Sequence, residues 1–421
     1  MSRVLRRRLR VIRESDFKTV NIDAPKTEPA ASPAKPTARR AALRFDRNEF
    51  AGAFGDIGTD LPLIIGMILA VGLDGASVLI VFGAMQIVTG LFYRLPMPVQ
   101  PLKAVAILVI AQKAGGQITA DVVYGGGLAI GVLMLVLTLT GLVDWIGRIV
   151  PKTVVRGIQL GLGMQLTTLA LKDYVQRDGT AGLWLAGAAF IVSLVLFGNR
   201  KYPAALFVIL LGAVYAVLFK LDFHAARQSI GFAWPHVHVP VWSDIWTGFL
   251  LLALPQVPLS IGNSLLAARQ TAQDLFPDRA PGLRKISLTY SLMNILNPFL
   301  SGIPTCHGSG GLAGYYAFGA RTGGAVVIYG SLYLLLGVVF SSGFQNVIQV
   351  FPLPILGVIL LFEGLAMMLL VRDMAGSKLD FFIVLIVGVM ASSLPYGYLV
   401  ALILGTVLAY GLPKLRTGLS G

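Results

Sequence analysis

Sulfur, histidine and acid are all scarce in this chain, with one cysteine, four histidines and 20 Asp or Glu among 421 residues. The lone Cys306 excludes an internal disulfide and any cysteine-based zinc site. Charged residues make up 13% of the chain, against about 25% in soluble globular proteins. That shortage, with repeated apolar runs, excludes a soluble enzyme. No apolar stretch follows the first arginines, so no secretory signal is read, and Glu14 and Asp16 argue against a transit peptide. What remains is abundant: 56% hydrophobic residues, 48 glycines and 22 prolines, with a mean hydropathy of +0.77. These define an all-α polytopic membrane protein, in which Gly and Pro are commoner than in soluble helices.

The net charge of +14 is unevenly spread. Residues 1–47 hold 13 Lys or Arg against 5 Asp or Glu, in a Pro/Ala/Lys/Thr-rich arm with too little apolar content for a core. The arm is expected to be a disordered, basic, cytoplasmic segment lying against the lipid bilayer, with no nucleic-acid partner. Fourteen spans follow, near 50–71, 75–93, 98–112, 122–143, 152–171, 182–198, 203–219, 244–268, 284–300, 305–318, 324–341, 352–371, 380–394 and 396–412. An extracytoplasmic loop is expected at 220–243 and a short cytoplasmic tail at 413–421. Alternating the spans from a cytoplasmic amino terminus puts fifteen Lys or Arg in inner loops and five in outer ones. Both termini are therefore expected in the cytoplasm, and a bacterial inner membrane is the expected location.

The halves of the chain echo each other. DLPLIIG (60–66) in span 1 matches QVPLSIG (256–262) in span 8 at four of seven positions. PMPVQPLKAVA (96–106) opens span 3, and IPTCHGSGGLA (303–313) opens span 10. The unit is thus seven spans, an odd number, so the second half is inserted upside down. Broken segments at corresponding places of such an inverted 7+7 repeat point to a site near the middle of the membrane.

Pro98 and Pro101 cannot lie inside a helix, so an extended segment and then a helix start are expected, with Pro101 at the first helical position and Gln100 near the cap. Gly302, Pro304, Gly308, Gly310 and Gly311 delay the second helix to about Ser309. Each start turns unpaired amides, Ala104 and Gly310 among them, and a positive dipole end into the protein. Lys103 falls in the first turn and needs a negative partner, either a structural one in Asp56 or Asp60 or an anionic substrate. Two dipole ends of about +0.5 each and one lysine sum to roughly +2, the charge that matches a dianion. His307 and Ser309 add donors, and Cys306 is read as a small packing residue without an acid or base partner.

Asp56 and Asp60, four apart, share a face if span 1 is continuous. Two such acids in low dielectric do not both ionise easily, which suits proton coupling; solvation of one at the inner mouth is the alternative. Glu363 in span 12 is a second intramembrane acid. Gln256 and Asn263 in span 8 occupy the repeat-related face and offer either ligand contacts or helix-to-helix hydrogen bonds. His236 and His238 alternate in the outer loop without matching cysteines and are read as surface residues, so no metal or cofactor is expected.

PMPVQPLKAVA, then GIPTCHGSGGLAGYYAFGARTG (302–323), and NEFAGAFGDIGTDLPLIIG (48–66) resemble the molybdate transporter family, related to the SulP sulfate permeases. The likeness spans 48–412, and GARTG (319–323) is similar to the GART stretch of SulP permeases. The resemblance implies a core domain of spans 1–4 and 8–11 (48–143 and 244–343) and a gate domain of spans 5–7 and 12–14 (144–219 and 344–412). It further implies an anion held between half-helices near Gln100, Lys103, His307 and Ser309, flanked by spans 1 and 8, and a homodimer. SulP permeases usually carry a STAS domain. None follows the last span here, so regulation through it is not expected, and TCHGSGG replaces their serine-rich helix start. The expectation is a secondary transporter importing molybdate with protons by alternating access. Sulfate or another tetrahedral oxyanion, and a passive anion channel, are the alternatives. A membrane transferase acting on lipid phosphate would need clustered acids or a nucleophile with a base, which the chain lacks.

Overall fold

The computed structural model describes residues 42–112, 116–196, 204–221, 231–232, 234–339, 350–394 and 396–419. Most of the basic arm, the middle of the 220–243 loop and the last tail residues lie outside the described residues.

Span 1 is two helices, Arg47–Ala53 (α1) and Ile57–Val71 (α2), bent by 41°. The break falls before Asp56, whose carbonyl accepts from the Asp60 amide (3.2 Å), so the two acids still lie at one helix start. At the break, a side chain on Gly55 would run into the backbone of Gly314 and Tyr315, so the chain bends where only glycine allows this approach. Asp46 caps α1 through the amides of Asn48 and Glu49, and Gly72 ends α2 at φ 69°. Gly75–Tyr93 (α3) is capped by Asp74.

A two-residue strand, Gln100–Pro101 (β1), leads into Lys103–Ala111 (α4). Ala120–Leu139 (α5) is followed by a separate amphipathic helix, Leu142–Ile149 (α6), begun at Gly141 with φ 75°. Lys152–Leu169 (α7) continues through a π turn to Tyr174, and Gly179–Val195 (α8) and Ala204–Phe219 (α9) complete the half.

The second half opens with Trp242–Leu275 (α10), one 34-residue rod with two π-helical stretches, Phe249–Ala253 and Ser260–Ala267. Pro255 and Pro258 lie between them; a proline removes an amide donor and disturbs the regular ladder. Then come Leu283–Leu296 (α11), the strand Thr305–Cys306 (β2), Ser309–Ala317 (α12), Gly324–Val339 (α13), Leu353–Leu369 (α14), Lys378–Ser393 (α15) and Gly397–Leu419 (α16). The fourteen segments fall where the apolar pattern places them. Large apolar side chains such as Trp184, Val195 and Phe219 face outward, as a lipid-facing surface requires. The protein is a multi-pass membrane protein.

The packing repeats when the halves are exchanged. α3 packs on α13 as α11 packs on α5, α7 on α15 as α14 on α8, and α2 on α14 as α10 on α7. α10 meets α16 as α2 meets α9. Glycines let backbones touch, with Gly83 against Gly330 between α3 and α13 and Gly163 against Gly364 between α7 and α14. At the centre β1 and β2 pair antiparallel, Gln100 opposite Cys306 and Pro101 opposite Thr305.

Candidate functional site

The β1–β2 pair brings the starts of α4 and α12 together. Leu102, not Gln100, is the cap of α4, and Lys103 is its first residue; Pro101, expected at the first helical position, stays in the strand, two positions before the helix starts. The Leu102 amide donates to the Pro304 carbonyl across the pair (3.0 Å), which holds that residue extended. The second helix begins at Ser309, as the glycines require.

An amide side chain from the preceding span grips the chain just before β1 and within β2. Gln86 on α3 donates to the Val99 carbonyl (2.8 Å) and accepts from its amide (3.2 Å). Asn294 on α11 donates to the Thr305 carbonyl (2.7 Å) and accepts from its amide (2.9 Å). Each carboxamide thus replaces a neighbouring strand, satisfying backbone groups that would otherwise be buried unpaired. Sequence reasoning missed both; a lone amide in an apolar run is the signal that could have found them. Gln86→Leu or Asn294→Leu is expected to cost about 1–3 kcal/mol each, the penalty of stranding buried polar groups. The check is the thermal midpoint of the detergent-solubilised protein.

Lys103 Nζ lies 2.7 Å from Glu363 Oε1 on α14. Its partner is therefore neither Asp56 nor Asp60. The lysine is 3% exposed and the glutamate 23%. With this pair formed, the lysine charge is cancelled and the expected sum of about +2 does not hold in this conformation.

The two helix starts also differ. Gln256 Oε1 on α10 accepts from the amides of Ala104 (2.9 Å) and Val105 (3.3 Å), so the α4 end is capped rather than open. Gln256 Nε2 donates to Ser260 Oγ (3.1 Å), which meets the Tyr290 hydroxyl (2.7 Å). The α12 start has no side-chain cap, and a side chain at Gly310 would meet open space. Ser309 Oγ donates to Asn263 Oδ1 (3.1 Å), which also accepts from Gln159 Nε2 (3.4 Å). Gln159 in turn accepts from Arg156 (2.8 Å), and Arg156 and Lys152 both bind Asp373.

Both nitrogens of His307 are in use. Nδ1 donates to the Pro98 carbonyl (2.8 Å), which leaves Nε2 to accept from Thr289 Oγ (2.8 Å), itself against the Tyr93 hydroxyl (2.5 Å). The side chain expected to face a ligand therefore ties the two broken segments together instead. Gln100 Nε2 donates to Asp56 Oδ1 (2.6 Å), while Asp56 Oδ2, Gln100 Oε1 and both Asp60 oxygens are buried without a hydrogen bond. Asp60 lies on α2 beside Asp56 and Tyr329. Gly308 and Gly311 are what permits this closeness, because a side chain there would strike Gln100 or Asp56.

Cys306 is buried in β2, as a packing residue should be. His236 lies 3.9 Å from Asp74, and His238 lies 3.7 Å from Asp121 with its ring on Tyr124. His236 is largely exposed, whereas His238 is half-buried. Among the described residues no group of three or more His, Cys, Asp or Glu could hold a metal.

A family described as "Molybdate transporter of MFS superfamily" matches residues 48–166 and 248–367, two stretches that hold corresponding spans of each half. Molybdate transporter 2 of Arabidopsis thaliana is 33% identical over 88% of this chain and 88% of its own length. Molybdate transporter 1 of the same plant is 32% identical over 80% of this chain and 82% of that one. The fold is similar to that of the transmembrane domain of a cyanobacterium bicarbonate transporter, BicA, with a TM-score of 0.61 at 16% identity, covering 88% of this chain and 99% of that one. It is also similar to murine Slc26a9, an anion transporter in the inward-facing state, with a TM-score of 0.65 at 12% identity, covering 90% of this chain and 70% of that one. These neighbours are SulP-type transporters with a 7+7 inverted repeat. With its fold shared by such transporters and its sequence matched over both halves, the chain belongs to the molybdate transporter family.

Proposed function

We propose that this anion transporter imports molybdate by alternating access, with protons as the coupling ion. The observation that carries the reading is the meeting of two intramembrane helix starts through β1 and β2, with Lys103 at one start and an uncapped glycine turn at the other. Backbone amides and a lysine at such ends are suited to a tetrahedral dianion. Relatives named as molybdate transporters support the choice of anion. Lys103, Ser309 and the amides about Gly310 would contact the anion. Ala104, Gln256 and Asn263 would join once Gln256 leaves the α4 amides, and Gln100 and His307 would hold the frame.

The packing supports a division into core and gate. Spans 1–4 and 8–11 pack mainly among themselves, as do spans 5–7 and 12–14. The Lys103–Glu363 pair and the Ser309–Asn263–Gln159 chain cross between the two groups. Sliding of one group past the other would break and remake these contacts. Asp56 and Asp60, buried with unpaired oxygens, are the proposed proton carriers, with Glu363 the third acid. Both termini would face the cytoplasm of a bacterial cell, and the transporter would work as a homodimer.

The test is uptake of labelled molybdate into proteoliposomes. An inward proton gradient is expected to drive accumulation above the outside concentration, and Asp56→Asn with Asp60→Asn is expected to abolish that gradient response. Equal uptake with and without the gradient would remove proton coupling. Competition by sulfate as strong as by molybdate itself would make the protein a general oxyanion carrier.

A further inference from the structure

The α4 side of the site is filled by the protein's own oxygens. Glu363 Oε1 sits on the Lys103 ammonium at 2.7 Å, and Gln256 Oε1 sits on the first amides of the helix at 2.9 and 3.3 Å. An oxyanion at this helix start would use these same donors. Glu363 comes from α14, in the helix group opposite α4, and is 23% exposed where Lys103 is 3% exposed. The carboxylate therefore reaches inward from a wetter position onto a buried cation.

We propose that Glu363 is a built-in substitute for the transported anion, occupying Lys103 when the site is empty and giving it up when the substrate arrives. This deepens the proposed function and rests on it. A buried lysine without a partner is costly, so an empty carrier needs an internal anion to cross the membrane phase of its cycle. Because Glu363 belongs to the other helix group, the exchange also links occupancy to the contact between the groups. With the site empty the pair ties α4 to α14; with the anion bound the tie is released. Gln256 plays the neutral part, capping the amides until an anion replaces it.

A substitute anion competes with substrate, and this separates it from an ordinary structural pair. Glu363→Gln is expected to tighten molybdate binding about tenfold, the factor that about 1.4 kcal/mol of lost competition gives. Uptake by the same variant is expected to slow, because the empty site can no longer neutralise Lys103 on its return. A purely structural pair predicts the reverse for binding: a loosened site and weaker affinity. The experiment measures equilibrium binding of molybdate and of sulfate to purified wild type, Glu363→Gln and the double variant Lys103→Met with Glu363→Met, each with its thermal midpoint.

The double variant removes both charges together, so it is expected to fold and to bind neither anion. Tighter binding with slower uptake in Glu363→Gln supports the proposal. Unchanged or weaker binding in a folded Glu363→Gln protein overturns it, as does anion binding by the double variant. If wild type binds sulfate and not molybdate, the molybdate reading falls while the role of Glu363 is still decided with sulfate. Binding of neither anion by wild type overturns both.

Discussion

Replacing Lys103 with methionine is expected to lower molybdate uptake about a hundredfold or more. Losing one partner of a buried, hydrogen-bonded charge pair costs about 2–5 kcal/mol of binding, and each 1.4 kcal/mol is about a factor of ten. Two losses combine. The helix start loses its full positive charge where the anion would sit, and Glu363, 2.7 Å away, is left without its partner. The second loss alone would lower stability, so uptake must be read beside the thermal midpoint. Lys103→Met with Glu363→Met is expected to recover the midpoint without recovering uptake, which separates the charge at the site from the stability of the fold. Lys103→Arg keeps the charge but carries a planar, bulkier fork into a closed space, and partial uptake is expected. Uptake of Lys103→Met within a few-fold of wild type would show that the lysine is only a structural cation.

Glu49→Ala is expected to destabilise the protein by about 3 kcal/mol or more, since a hydrogen bond to a charged group is worth about 1.5–3 kcal/mol and several are lost together. The Glu49 carboxylate, 1% exposed, accepts the amides of Arg321 (3.0 Å), Thr322 (2.9 Å) and Ala325 (3.1 Å). It therefore caps the start of α13 from the first turns of the chain's first membrane helix, where a carboxylate also meets the positive end of the helix dipole. Thr322 Oγ adds a second tie, accepting from Arg44 (3.2 Å) and from Gly324 (3.2 Å). Glu49→Gln retains an acceptor oxygen but turns an amino group toward one of these amides, so an intermediate loss is expected. Thermal midpoints in detergent check the order wild type, Gln, Ala. Equal midpoints would mean that the contact carries no net stability.

These two residues show what the sequence made readable. The prolines at 98 and 101 and the glycines at 308, 310 and 311 announce a helix that must restart inside the membrane, because proline and glycine act through the backbone alone. The positions of α4 and α12 followed to within two residues. The GARTG stretch could be compared with relatives, yet its work as a docking turn for Glu49 could not be read from it.

Partners set by three-dimensional packing were the least readable. Lys103 was expected to find Asp56 or Asp60 and instead meets Glu363, 260 positions away. A charged residue in an apolar span announces that a partner exists, but not which element supplies it. Gln256 was read as a neutral hydrogen-bonding residue of span 8, though its cap on the α4 amides, 151 and 152 positions away, needed the fold. His307 looked like a free donor because its acceptors, a carbonyl and a hydroxyl, leave no mark in a sequence. The break in span 1 was not read from the sequence, because the backbone of α12 pressed against Gly55 is visible only in the fold.

The most direct measurement is a structure of the protein with bound molybdate, with the metal located by its anomalous scattering. The account predicts one molybdate whose oxygens accept from Lys103 Nζ and the first amides of α12, with Glu363 turned away from the lysine. A molybdenum position remote from both helix starts, with the Lys103–Glu363 pair intact, would contradict it.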